Sequence, residues 1–197
     1  MEHLKAATRS RLRSNQRSAG KVMDLAKGNA TGASDRVPDD AEGHLTDDFR
    51  NAMRRLSAGV AIVCSSGEAG WVGLTATSVS SLSMDPPSLL VCINRNSSLR
   101  PALTVGNPFS VSLLARQHIE VSKVFGGAAF GADRFRVGDW EGRAIGVPVL
   151  KDAIAQIESV VDLEVEYGSH TIIIGRVSHC RSSLADEPLV YVDGAYV

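Results

Sequence analysis

Between Thr75 and Ser83 the chain places six hydroxyls in nine positions: Thr75, Thr77, Ser78, Ser80, Ser81 and Ser83. They do not alternate with apolar residues, so both faces of the segment are partly polar. Asp85-Pro86-Pro87 ends the segment and leaves its backbone N–H and C=O groups without a continuing ladder. Small hydroxyls beside accessible backbone suit a flat, polar heteroaromatic ligand. Backbone can approach the ring edge closely, while the hydroxyls bond ring heteroatoms and a sugar-like chain. An edge strand with a polar outward face would use the same residue types for solvation alone.

A second segment, INRNSSLR (93–100), follows a strand pattern and opens a short helical one. Asn94, Asn96, Ser97 and Ser98 supply donors, and Arg95 and Arg100 bring positive charge. A helix N-terminus adds oriented N–H groups, which together suit a phosphate. An ordinary capped helix reads the same way.

These segments need a scaffold, and the rest of the chain describes one. The 197 residues are 44% hydrophobic, enough for one domain with a real core. The net charge of −1 offers no field for nucleic acid or an anionic membrane. No apolar run approaches the ~18 residues that span a bilayer, and the N-terminus lacks a secretory signal's apolar segment. Cys64, Cys92 and Cys180 are an odd number without a CxxC pair, as expected of reduced thiols in a cytoplasmic protein.

Residues 1–44 read as a flexible tail. Lys5, Arg9, Arg11, Arg13, Arg17 and Lys21 fall between His3 and Met23 with no acid among them, and large apolar residues are scarce. Such a segment also suits a transit peptide, a subunit-clasping arm or an upstream-assigned start. The folded domain is expected over 45–197. It opens with a helix capped by Thr46, with Phe49, Met53 and Leu56 on its apolar face.

Strands follow. VAIVCSS, WVGLTATS, SLLVCIN (88–94) and FSVSLLA (109–115) are strand-like, with a turn at Gly67–Gly70. Short helices are expected over Leu99–Val105 and Ile119–Phe125, the latter ending at Gly126-Gly127. In VVDLEVEY, Val161, Leu163, Val165 and Tyr167 alternate with acids, which is period two. Gly168-Ser169 turns the chain into HTIIIGRVSHC, and PLVYVDGAYV finishes it. Consecutive strands with short connections predict a mainly β, antiparallel Greek-key or meander barrel rather than a doubly wound sheet. The Gly-rich stretch 125–142, with Phe125, Phe130, Phe135 and Trp140, reads as a mobile loop over a ligand.

FRNAMRRLSAGVAIVCS, GLTATSVSSLSMDPPSLLVCIN, NSS and YGSHTIIIGRV, in this order and spacing, resemble the flavin reductase-like family. Its type members are the small reductase components of 4-hydroxyphenylacetate and phenol monooxygenases. The resemblance covers roughly residues 46–197. It implies an FMN-binding split β-barrel, usually a homodimer with flavin near the subunit interface. It places flavin-ring and ribityl contacts on Thr75, Ala76, Thr77, Ser78 and Val79. Phosphate contacts fall on Ser80, Ser81, Asn94, Ser97 and Ser98, with Arg100 as a further candidate. The family usually has Gly-Asp-His where this chain has Gly168-Ser169-His170. The resemblance puts His170 near the nicotinamide, without the carboxylate that ordinarily precedes it. His118 and His179 read as structural.

The implied activity is hydride transfer from NADH, or NADPH, to FMN or FAD, with reduced flavin supplied to a partner monooxygenase. Two other readings stay open: reduction of a corrinoid in cobalamin synthesis, and a flavin-binding module without turnover. A pyridoxamine phosphate oxidase would need a more basic phosphate pocket than residues 73–100 offer. No GxGxxG joins a strand to a helix, so the donor has no Rossmann fold of its own. No His/Cys set has zinc spacing, and no serine sits in a nucleophile elbow.

Overall fold

A computed structural model describes residues 39–183 and 186–197. The expected tail lies largely outside these residues. Helix α1 runs Asp39–Arg54, so Thr46 lies within the helix rather than capping it. Contacts divide the chain after Thr46, and the unit Asp47–Val197 holds everything that follows. The expected apolar face of α1 exists but is bare: Phe49 is 65%, Met53 46% and Leu56 62% exposed.

The strands are β1 (Ala58–Gly59), β2 (Ala61–Gly67), β3 (Gly70–Ala76), β4 (Val79–Met84), β5 (Pro87–Asn94) and β6 (Pro108–Leu113). Then come α2 (Ile119–Lys123), β7 (Trp140–Gly142), β8 (Pro148–Leu150), β9 (Ala155–Tyr167), β10 (His170–Ser182), β11 (Val190–Val192) and β12 (Ala195–Tyr196). Seven form one antiparallel sheet in the order β3-β2-β6-β9-β10-β5-β4. Its two edges, β3 and β4, are joined by Thr77 and Ser78 alone. The three Cα–Cα steps from Ala76 to Val79 span at most about 11 Å, far less than the width of seven strands laid flat, so the sheet curls until its edges approach. The result is a split β-barrel, hydrogen-bonded all round except at the β3/β4 seam.

Two cores stabilise it. Ala61, Val63, Val91, Ile93, Phe109, Val111, Val161 and Ile173 fill the barrel. Outside the wall, Ile62 and Cys64 pack with Leu114, Val121, Phe125, Leu150 and Leu189. Strand β2 is therefore covered on both faces, which is why VAIVC is an unbroken apolar run rather than an alternating one.

The Gly-rich stretch is anchored rather than loose. Phe125, Phe135 and Trp140 lie 5.0–5.2 Å apart between ring centroids, and Trp71 joins at 5.6 Å from Phe135. Arg134 donates to the carbonyls of Gly73 and Ala129. Phe130 alone of its four aromatic rings stands out, at 79% exposure.

The alternation of VVDLEVEY is real, but its apolar side is not one buried face. Ile174 pairs with Leu163 while Gly175 pairs with Val161, so Asp162 is an extra residue in β9. A bulge of one residue moves the following side chains to the other face. Val161 points into the barrel at 1% exposure; Val165 and Tyr167 point outward at 40% and 82%. Glu164 turns inward instead, where it meets Arg100 at 2.6 Å.

Candidate functional site

The bulge and the registers assemble an outward wall across β4, β5, β10 and β9. Directly paired residues share a face, which gives three rows. Ser80, Leu90, Ile174 and Leu163 form the first. In the second, Cys92, Ile172 and Val165 follow Ser78, whose hydroxyl donates to the Cys92 carbonyl at 2.9 Å. The third is Asn94, His170 and Tyr167. The wall is apolar in the middle, hydroxyl-lined on the seam side and bears an imidazole at one end. That is a surface for a flat ligand with a polar edge.

The seam residues divide by role. Ala76 is buried and pairs with Ala61, and Val79 packs on the barrel core, so each offers a ligand its backbone. Thr75 Oγ1 donates to the Ser122 carbonyl at 2.7 Å, tying the end of β3 to α2. Thr77 is exposed in the connection. Ser78 O accepts from Cys92 N–H, so this connection is hydrogen-bonded at both backbone and side chain. Ser80 and Ser81 leave opposite faces of β4, so their hydroxyls are not side by side.

The helix expected over Leu99–Val105 is a single 3-10 turn, Arg100–Ala102, with Pro101 inside it. A turn this short carries little dipole, so a phosphate seat here would have to rest on the loop instead. Asn94 Oδ1 accepts from Asn96 N–H at 2.9 Å, and Asn94 O accepts from Ser97 N–H at 3.0 Å. Ser98 is exposed, while Ser97 Oγ is buried without a hydrogen-bond partner. An orphaned hydroxyl is costly unless something fills it. The donor set fits a phosphate better than it fits an empty loop.

Arg100 is already committed. Its Nε donates to Thr171 Oγ1 at 3.0 Å, Nη1 to Leu103 O at 3.2 Å and Nη2 to Glu164 Oε2 at 2.6 Å. Glu164 Oε1 accepts from Val105 N–H at 2.8 Å. This is the arrangement of a brace that holds the 94–105 loop against β9 and β10.

His170 is the first residue of β10, paired with Asn94 on one side and Tyr167 on the other. Ser169 stands where the resemblance expects a carboxylate, and its Oγ lies 2.9 Å from His170 Nδ1. Ser169 O accepts from Arg95 N–H at 3.0 Å, locking the turn to the loop. His118 is structural, as expected. Its Nδ1 accepts from Ala115 N–H, so the ring proton sits on Nε2, 3.0 Å from Asp152. Among the described residues no His/Cys/Asp/Glu group could hold a metal. The wall residues Cys92, Ile172, Val165 and Tyr167 escaped sequence reading, because strand period alone does not say which face is inside.

Residues 53–197 match the flavin reductase-like domain family. The NADH-dependent FMN reductase RutF of Variovorax paradoxus is 39% identical over 149 residues, which cover 76% of this chain and 83% of that protein. The reductase component of the FADH2-dependent resorcinol hydroxylase of a Rhizobium species is 37% identical over 150 residues, 75% of this chain and 84% of that one. Among solved structures, the NADH:FAD oxidoreductase SgcE6 of Streptomyces globisporus, in complex with NAD and FAD fragments, has a TM-score of 0.71. Its identity is 27%, over 77% of this chain and 91% of that chain. The match takes in the seam, the wall and both cores, and the chain belongs to the flavin reductase-like family.

Proposed function

We propose that this protein is an NADH-dependent flavin reductase that passes reduced FMN or FAD to a partner monooxygenase. The observation that carries the reading is the wall itself, with hydroxyls on its seam side and His170 two strands away. Strands lie about 4.8 Å apart, so the span from the seam to His170 suits one tricyclic ring with a second planar ring stacked on its open face. A flavin held here would supply the ring that accepts a hydride, two electrons and one proton, given up by a dihydronicotinamide donor. The chain's residues position the partners. Backbone at Ala76 and Val79 and hydroxyls at Thr75, Thr77 and Ser78 hold the ring edge and ribityl chain. Asn94, Ser97 and Ser98 face the phosphate, with Arg100 keeping their loop in place, and of Ser80 and Ser81, which leave opposite faces of β4, only one can join them. His170, its Nδ1 held by Ser169, sits where the nicotinamide arrives. No acid–base pair is needed, because hydride transfer depends on stacking geometry.

The relatives named for FMN, FAD and a hydroxylase support both flavins and a monooxygenase partner. Half-buried Leu90, Ile172 and Ile174, exposed Val165 and the bare face of α1 make a homodimer the natural assembly, with the second copy covering this wall. Cys64, Cys92 and Cys180 are unpaired, as suits the cytoplasm. Among the described residues no helix is long and apolar enough to cross a membrane.

Replacing Ser78 with Leu tests the cradle. Flavin affinity should fall at least about ten-fold, the loss of a charge-free polar contact plus a clash, with the far-UV spectrum unchanged. Unaltered flavin affinity in a folded variant would overturn the assignment.

A further inference from the structure

Most aromatic side chains in the described barrel unit have an intramolecular reason for their place. Trp71, Phe125, Phe135 and Trp140 stack in one cluster, Tyr191 stacks on Tyr196 at 5.2 Å, and Phe109 is fully buried. Tyr167 has none. It ends β9 at the hairpin tip, 82% exposed, and stacks on no Phe, Tyr or Trp ring among the described residues. It is also directly opposite His170, which is directly opposite Asn94. The phenol therefore stands on the ligand side of the wall, at the end of the row that holds the proposed phosphate loop and the imidazole.

Tyr167 is on β9, three strands from the hydroxyls of β4. At about 4.8 Å per strand that is about 14 Å, too far for the flavin ring held at the seam. The nicotinamide must lie against that ring to deliver its hydride, so it is not the group over Tyr167 either. What remains of a dinucleotide is its adenine, the other planar ring, joined to the first through its two phosphates. We infer that Tyr167 is a stacking platform for the adenine of a bound dinucleotide. This rests on the flavin reductase reading above and adds to it a residue that sets preference for dinucleotides over mononucleotides. Adenine can come from the hydride donor or from FAD, and the two sources separate by assay.

The test is steady-state flavin reduction by the full chain, wild type against Tyr167→Ala and Tyr167→Phe. Donors are NADH and reduced nicotinamide mononucleotide, which lacks adenosine; acceptors are FMN and FAD. With FMN as acceptor, Tyr167→Ala should raise the KM for NADH about ten-fold, the usual effect of removing a ring that stacks on a base. KM for the mononucleotide and for FMN, and kcat at saturation, should not move, and Tyr167→Phe should behave as wild type. A rise in KM for FAD but not FMN, with NADH unaffected, would support the platform and assign the adenine to the flavin. Equal shifts for NADH and the mononucleotide, no shift at all, or an oligomeric state that differs from the wild type's by light scattering would overturn it. If the wild type reduced flavin with neither donor, the reductase reading itself would fall and this inference with it.

Discussion

Arg100→Ala separates a brace from a ligand. The substitution deletes bonds to Thr171, Leu103 and Glu164 and leaves Glu164 with only the Val105 N–H. The side chains of Arg100 and Glu164 are 17% and 21% exposed. An exposed pair is worth up to about 1 kcal/mol, and breaking a buried one costs ~3–5 kcal/mol. At one-fifth exposure the loss should be about 2–3 kcal/mol, or about 5–10 °C in Tm for a domain of this size. Arg100→Lys should recover little, because an ammonium cannot serve three acceptors in the same fork. The functional readout is fluorescence titration with FMN and with riboflavin, which lacks the phosphate. If Arg100 only holds the loop, both ligands weaken by a similar few-fold factor. A loss beyond about ten-fold (~1.4 kcal/mol) for FMN, with riboflavin unchanged, would refute the brace and make Arg100 a direct phosphate contact.

Three further substitutions follow from the geometry. A methyl added at Gly175 would collide with the ring of Phe109, which is fully buried; Gly175→Ala should cost about 2–3 kcal/mol in urea unfolding, and a change under about 0.5 kcal/mol would show that the barrel yields there. Burial pushes the Cys64 thiol up from its ordinary 9.0, so above that pH the unfolded chain loses a proton that the folded chain keeps. Stability is then fully present below pH 9.0 and falls as pH rises, by about 1.4 kcal/mol per unit. The stability difference between wild type and Cys64→Ala should narrow at that slope, and a constant difference from pH 8 to about 10.5 would contradict it. His170→Ala should raise KM for NADH more than KM for flavin, and the reverse pattern would remove His170 from the nicotinamide site.

What the sequence conveyed and what it withheld have physical causes. Strands β5, β6 and β10 were legible because apolar, β-branched runs between turn signals have few other uses. The hydroxyl segment 75–83 stood out as a candidate because polar residues on both strand faces conflict with simple wall-building. The adjacency of Asn94 and His170 was not, since it depends on the pairing of strands that lie 76 positions apart in the chain. The orientation of Val165 and Tyr167 was hidden by one extra residue, Asp162, which no local pattern marks. Arg100 looked like a phosphate ligand from its neighbours Ser97 and Ser98. Only the fold brings up Glu164, 64 residues away, to occupy it. Glycine content suggested a loose loop at 125–142, yet the aromatic rings in the same stretch pin it to the second core.

The central claim is tested most directly by anaerobic stopped-flow mixing of the purified chain and FMN with NADH, following the visible flavin band at increasing excess of free flavin. The account predicts rapid bleaching that continues through many equivalents of free FMN, as a reductase supplying diffusible reduced flavin must show. Bound flavin that stays oxidised, at any NADH concentration, would contradict it.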